Sequence, residues 1–240
     1  MIHCSVMSVS ANENRYPIPE TFISHPNLEY LYLEAEDEGA NLFFSHVQLP
    51  SLKQLTLDWD MSRINIGNFT SLLERSSPPL QDLTVVEPDI DEEDLFQLLK
   101  AVPTITTLSL TLGLAWGFLP DDLFQILADS SLISPDEGHQ NFLPKLEVFK
   151  YIGYPNYPWA LLPNLFGPIS ELRHPCRRPL STLQIHCLTS EEDELLFITD
   201  RDVVSQIQDF MDKGMKVEIK DVGCLDCDRD ILGPSIELHK

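Results

Sequence analysis

The chain has 240 residues, 43% hydrophobic and 22% charged, with 38 acidic against 16 basic side chains and a formal net charge of −22. Enough apolar surface is present to offset the conformational entropy of folding, so wholesale disorder is excluded, and the acidic balance argues against a nucleic-acid surface, which needs clustered Lys and Arg. Five cysteines, an odd number, and a start without a basic stretch and apolar run predict a reducing compartment, cytoplasmic or nuclear; no apolar window of about 18 residues predicts a membrane span.

In chain order, residues 1–21 read as an N-terminal tail or atypical cap. One phrase, Pro-x-Leu-x-x-Leu-x-Leu, then recurs: PNLEYLYLE from Pro26, PSLKQLTLD from Pro50, PPLQDLTVV from Pro78 and PTITTLSLT from Pro103. It returns as PKLEVFKYI from Pro144, with Phe149 and Tyr151 in the leucine slots, as RPLSTLQIH from Arg178 and, in degenerate form, as GMKVEIKD from Gly214. The first apolar positions, 28, 52, 80, 105, 146 and 180, step by 24, 28, 25, 41 and 34 residues, the first three near the roughly 20 to 29 of a leucine-rich repeat. Period two in L-x-L is strand behaviour, and the proline ahead of it suits the start of a strand because it cannot donate to a ladder. Seven short parallel strands are predicted.

Between the phrases, apolar spacing of three or four predicts helices over Ile64 to Arg75, Asp91 to Val102, Pro120 to Asp129, Pro163 to Leu172 and Arg201 to Lys213. Leu95, Phe96, Leu98 and Leu99 make one apolar side behind an acidic first turn. The expected fold is a curved α/β leucine-rich-repeat solenoid of about seven irregular repeats over residues 22–222, strands on one face and helices on the other. Residues 223–240 form a C-terminal tail or cap. A doubly wound sheet would need longer apolar strands and a Gly-rich first turn, which the sequence lacks.

The phrase LPSLKQLTL, the unit FLPKLEVFKY at Phe142 to Tyr151, RRPLSTLQI at Arg177 and DRDVVSQIQDFMDKGMKVEI at Asp200 together resemble the F-box-like leucine-rich-repeat proteins that mushroom-forming fungi encode in large numbers. The resemblance spans about Phe22 to Asp221. It implies a substrate-recognition part of an SCF-type ubiquitin ligase, in which an F-box of about 40 to 50 residues precedes the repeats. The first 25 residues show no F-box opening, so a Skp1-type adaptor is an expected partner only if an F-box lies outside this chain. The competing expectation is a stand-alone scaffolding repeat with no ligase role.

Other segments invite sharper readings. Leu119 to Leu127, LPDDLFQIL, fits the F-box opening, yet Ser, Pro and Gly follow within about ten residues and leave no room for a packed second helix. Its place between two strand phrases makes it a repeat helix, opened by Pro120 and by Asp121 and Asp122. Cys224 and Cys227 have C-x-x-C spacing, but no second ligand pair exists for zinc and the acidic surroundings would raise a thiol pKa, so they read as residues of the terminal cap. The acidic runs Glu34 to Glu38, Asp89 to Asp94 and Glu191 to Glu194 read as solvated faces. No hydrolase, zinc-protease, P-loop or dinucleotide motif occurs, and the seven histidines show no paired spacing; no enzyme, metal or cofactor is expected.

Function is expected on the strand positions that alternate with the core leucines: Tyr30, Tyr32 and Glu34; Gln54, Thr56 and Asp58; Asp82, Thr84 and Val86; Thr107, Ser109 and Thr111. Their tyrosines, hydroxyls and carboxylates suit a protein ligand, with an unemployed solvated sheet face as the alternative. Tyr154, Tyr157 and Trp159, in the densest aromatic run, are a second protein-binding candidate, and Trp59 and Trp116 could share their rim. For Trp159, a rim position and a plug in the repeat core are both open. A monomer that binds another protein, and neither nucleic acid nor membrane, is the expectation.

Overall fold

The computed structural model describes residues 2–7, 21–34, 38–58, 65–86, 92–112, 121–131, 142–155, 158–172, 174, 177–189, 198–223 and 229–239. They fall into two compact units, Met1–Ile105 and Thr106–Lys240. Both are α/β, and every described strand pair but one is parallel.

In the first unit β1 (Ile2–Met7), β3 (Leu28–Glu34), β5 (Gln54–Asp58) and β6 (Asp82–Val86) pair in parallel in that order, while β2 (Ile23–Ser24) pairs with β4 (Val47–Gln48). Helices α1 (Glu38–His46), α2 (Ile66–Ser76) and α3 (Glu92–Lys100) pack successively on one another. The phrase explains the strands. Leu28, Leu52, Leu80 and Ile105 are buried ahead of or at each strand start, and Leu31, Leu33, Leu55, Leu57, Leu83 and Val85 are buried within the strands, so every second side chain enters the core. The turn recurs too: the N–H of Leu28, Leu52 and Ile105 each donates to the carbonyl three residues earlier. Asn65 caps α2 by accepting from the Asn68 N–H at 3.2 Å, and Ser77 ends it in the left-handed region at φ 44°. Phe44 of α1 meets Phe69 of α2 edge to face at 5.5 Å.

In the second unit β7 (Thr107–Thr111), β8 (Val148–Gly153), β9 (Thr182–Cys187) and β10 (Lys216–Asp221) are parallel neighbours, and β11 (Arg229–Asp230) closes the edge antiparallel to β10. The helices are α4 (Asp121–Asp129), α5 (Leu161–Leu165), α6 (Arg201–Asp212) and α7 (Leu232–Leu238). Segment 121–129 buries Leu123, Phe124, Leu127 and Ala128, and the Phe124 ring lies 5.7 Å from both Phe149 and Tyr151 of β8, as a repeat helix facing its strand would. Asp200 caps α6 by accepting from the Asp202 and Val203 N–H groups, and Gly214 ends it at φ 94°. Phe166 stacks on Phe210 at 5.0 Å between α5 and α6.

Arg178 is buried, only 1% exposed. Its guanidinium donates to the carbonyls of Leu127 at 2.6 Å, Phe142 at 2.8 Å and Leu143 at 3.2 Å, and to the Ser130 hydroxyl. Burial lowers its pKa to about 10, far above neutrality, so it stays charged inside the unit. Charge-assisted bonds to three main-chain oxygens make that burial tolerable.

The structure departs from the sequence expectation at several places. Segment 2–7, expected within a tail or cap, is strand β1. Helices α1 and α7 were not expected; α1 follows an acidic run that reads as loop, and Pro234 of α7 sits in its first turn, where a missing N–H costs nothing. The expected helix from Pro163 to Leu172 is two pieces, α5 and a 3-10 turn at Ile169–Glu171, because Gly167 takes φ 72° and Pro168 follows. Leu119, Pro120, Trp59, Trp116, Tyr157, Cys224 and Cys227 lie outside the described residues.

Candidate protein-binding faces

Alternation leaves one face of each sheet uncovered, and the register aligns its residues in rows. In the first unit Tyr30, Gln54 and Asp82 form one row, Tyr32, Thr56 and Thr84 the next, and Glu34, Asp58 and Val86 the third. All are half-buried except Gln54, which is exposed. Polar bonds knit the rows together. The Tyr32 hydroxyl donates to Asp58 Oδ2 at 2.7 Å, and Gln54 Nε2 donates to Asp82 Oδ2 at 2.6 Å. Because its proton is held by the Asp58 carboxylate, the Tyr32 phenol is pushed up to about 12, with burial and the negative charges of Asp58 and Glu34 adding to the effect. The structure therefore brings together the nine first-unit residues expected on the functional face, Tyr30, Tyr32, Glu34, Gln54, Thr56, Asp58, Asp82, Thr84 and Val86.

The second unit continues the alternation with different chemistry. Thr107, Val148, Thr182 and Lys216 share a row; Ser109, Lys150, Gln184 and Glu218 share the next; Thr111, Ile152, His186 and Lys220 share the third. Lys150 and Lys216 are exposed. His186 Nε2 lies 2.7 Å from Glu218 Oε1, and Lys220 Nζ lies 3.4 Å from the same oxygen. The hydrogen bond from His186 holds the Glu218 carboxyl below its ordinary value; Lys220 adds to this, against an opposing effect of burial. Thr107, Ser109 and Thr111 were expected here. Lys150, Gln184, His186, Lys216, Glu218 and Lys220 were not, although the same period-two reading, extended to the last three phrases, finds them.

Of the aromatic run, Tyr154 is half-buried directly after β8, and its carbonyl accepts from the Tyr151 hydroxyl at 2.9 Å. Trp159 is half-buried at the start of α5, where its carbonyl accepts from Leu162 N–H. Burial pushes the Tyr151 phenol above its ordinary value, which marks it as a core residue in a leucine slot. His186 and Cys187 point to opposite faces, half-exposed and buried respectively.

Among the described residues, two of the open clefts lie between helices. One, of about 610 Å³, runs between α4, α5 and α6 past Asp129, Asn164, Gln206 and Phe210; the other, of about 740 Å³, runs between α2 and α3 past Glu74, Gln97 and Lys100. Neither sets a Ser, Thr or Cys nucleophile beside a histidine base. Among the described residues no group of three or more His, Cys, Asp or Glu side chains could hold a metal ion, and no helix is long and apolar enough to cross a membrane. Comparison with protein-family models, with curated proteins and with solved structures finds no match to this chain.

Proposed function

We propose that the chain is a leucine-rich-repeat solenoid that binds another protein through the uncovered strand faces. The observation that carries this reading is the in-register array of Tyr30, Tyr32, Gln54, Thr56, Asp58, Asp82 and Thr84 on the first unit. An array of tyrosines, hydroxyls and carboxylates offers aromatic area together with hydrogen-bond donors and acceptors, the composition that supports polar protein recognition. Following the sequence resemblance, the module would serve substrate recognition in an SCF-type ubiquitin ligase.

Replacing Tyr30, Tyr32 and Asp58 together by Ala tests the face. Quantitative affinity capture from extract, at a temperature where circular dichroism shows the variant folded, should show partner recovery falling about tenfold, the loss of one or two anchors. Unchanged recovery rejects the face. Co-precipitation of the full-length gene product with the ligase adaptor tests the ligase role, and failure to capture the adaptor would reject it.

A further inference from the structure

We infer that the strand face of the second unit takes an extended acidic polypeptide segment, with Lys150, Lys216 and Lys220 as its carboxylate contacts. This deepens the protein-binding reading above and rests on it. The chain has only 16 Lys and Arg against 38 Asp and Glu, yet the twelve uncovered positions of β7 to β10 carry three lysines and one histidine against one carboxylate, Glu218; Asp230 of β11, opposite Lys220, accepts from the Leu232 and Gly233 N–H groups at 3.1 Å. Glu218 is already engaged by His186 at 2.7 Å and by Lys220 at 3.4 Å. Lys150 and Lys216 are exposed on β8 and β10, with β9 between them.

The spacing defines the ligand. Lys216 and Lys220 lie four residues apart on one strand, about 13 Å, with Glu218 midway, and Lys150 stands two strands over, about 10 Å away. An extended peptide laid along β10 presents alternate side chains downward. Carboxylates at i and i+4 meet Lys216 and Lys220, while the residue at i+2 faces Glu218 and must be a donor such as Ser or Thr, because a third carboxylate there would be repelled. Lys150 lies beside Ser109 and Gln184 in its row and takes a further acidic group; Val148 and Ile152 supply flanking apolar contact. A nucleic acid suits this face poorly, since three lysines neutralise few phosphates.

The probe is a fluorescein-labelled peptide, Glu-Ala-Ser-Ala-Glu-Ala-Ser-Ala-Glu, titrated against the full chain by anisotropy. Binding should weaken about tenfold for the K150E/K216E variant and fall as NaCl rises from about 50 to about 300 mM. The variant with Ala at Tyr30, Tyr32 and Asp58 should bind the peptide as the unsubstituted chain does. Both lysines are exposed, so circular dichroism and Tm of K150E/K216E should match those of the unsubstituted chain. Absent binding, equal binding by K150E/K216E, or tighter binding of a peptide with Glu in place of every Ser overturns the inference, as does tighter binding of single-stranded oligothymidylate of equal charge. If the peptide fails while the first-unit variant still loses its captured partner, only the inference falls and the protein-binding reading stands.

Discussion

The two units use one strand phrase to build faces of opposite character. On β3, β5 and β6 of the first, the uncovered positions carry Glu34, Asp58 and Asp82 and no Lys or Arg; on β7 to β10 of the second they carry Lys150, Lys216 and Lys220 against Glu218. The buried slots differ as well, Leu and Val throughout the first unit but Phe149 and Tyr151 in β8 of the second. The contrast separates two duties of a strand. Buried positions fix the fold and tolerate little change in volume, whereas uncovered ones change stability by only about 0.5 kcal/mol and are free to set charge. Where phrases follow closely, leucines suffice; where the step widens to 41 residues, larger rings and a buried arginine hold the unit together.

The largest expected effect tests the arginine. Arg178→Met leaves the buried carbonyls of Leu127, Phe142 and Leu143 without their donor and should cost about 3 to 5 kcal/mol in urea denaturation. The first unit has a half-buried counterpart, Arg75, which donates to the carbonyls of Phe44 and Val47 and stacks over Phe22 at 4.4 Å. Arg75→Met should cost about 1 kcal/mol, and equal losses at the two positions would erase the distinction between the units.

Next comes the ring in the leucine slot. A Cβ at position 153 would lie 2.7 Å from Cζ of Tyr151, so Gly153→Ala should destabilise by about 1 to 3 kcal/mol through overpacking. Adding Tyr151→Phe removes the hydroxyl nearest the new methyl and should recover part of that loss; a strictly additive double variant would show that the contact does not matter.

The smallest effects lie in the pH limbs. Tyr32 titrates near 12 rather than 10, so its contribution to stability is complete below pH 10 and is lost as pH rises through about 12. Absorbance at the tyrosinate band should show one late-titrating phenol moving back towards 10 in Asp58→Asn. Glu218 behaves in the opposite sense: its depressed pKa contributes stability above its unfolded value of 4.5 that is lost as pH falls through the folded value. Glu218→Gln should therefore flatten Tm against pH on the acid side, and an unaltered acid limb would mean that the His186 contact carries no free energy.

Much of the architecture was legible because it repeats. The alternation in LEYLYLE or TLQIHC announces which side chains are buried, and apolar spacing of three or four announces α2 and α6. What repeats nowhere else was not legible. Segment 2–7 lacks the Pro-x-Leu phrase and becomes a strand by pairing with β3, a long-range event. Nothing in RRPL tells which arginine enters the core: Arg177 is half-buried and donates to the Phe166 carbonyl, whereas Arg178 disappears inside. On the sites, the tyrosine and carboxylate rows followed from the period alone, but the pairings Tyr32 with Asp58 and His186 with Glu218 depend on cross-strand register, which spacing within one strand does not encode.

The bonds of Arg178 reach Leu127 and Ser130 on one side of residues 132–141 and Phe142 and Leu143 on the other. One guanidinium thus pins both ends of that stretch, and its own main-chain N–H adds a further bond to the Ser131 carbonyl at 3.2 Å. Arg178 is in this sense a rivet, one side chain that joins the end of α4 to the approach of β8.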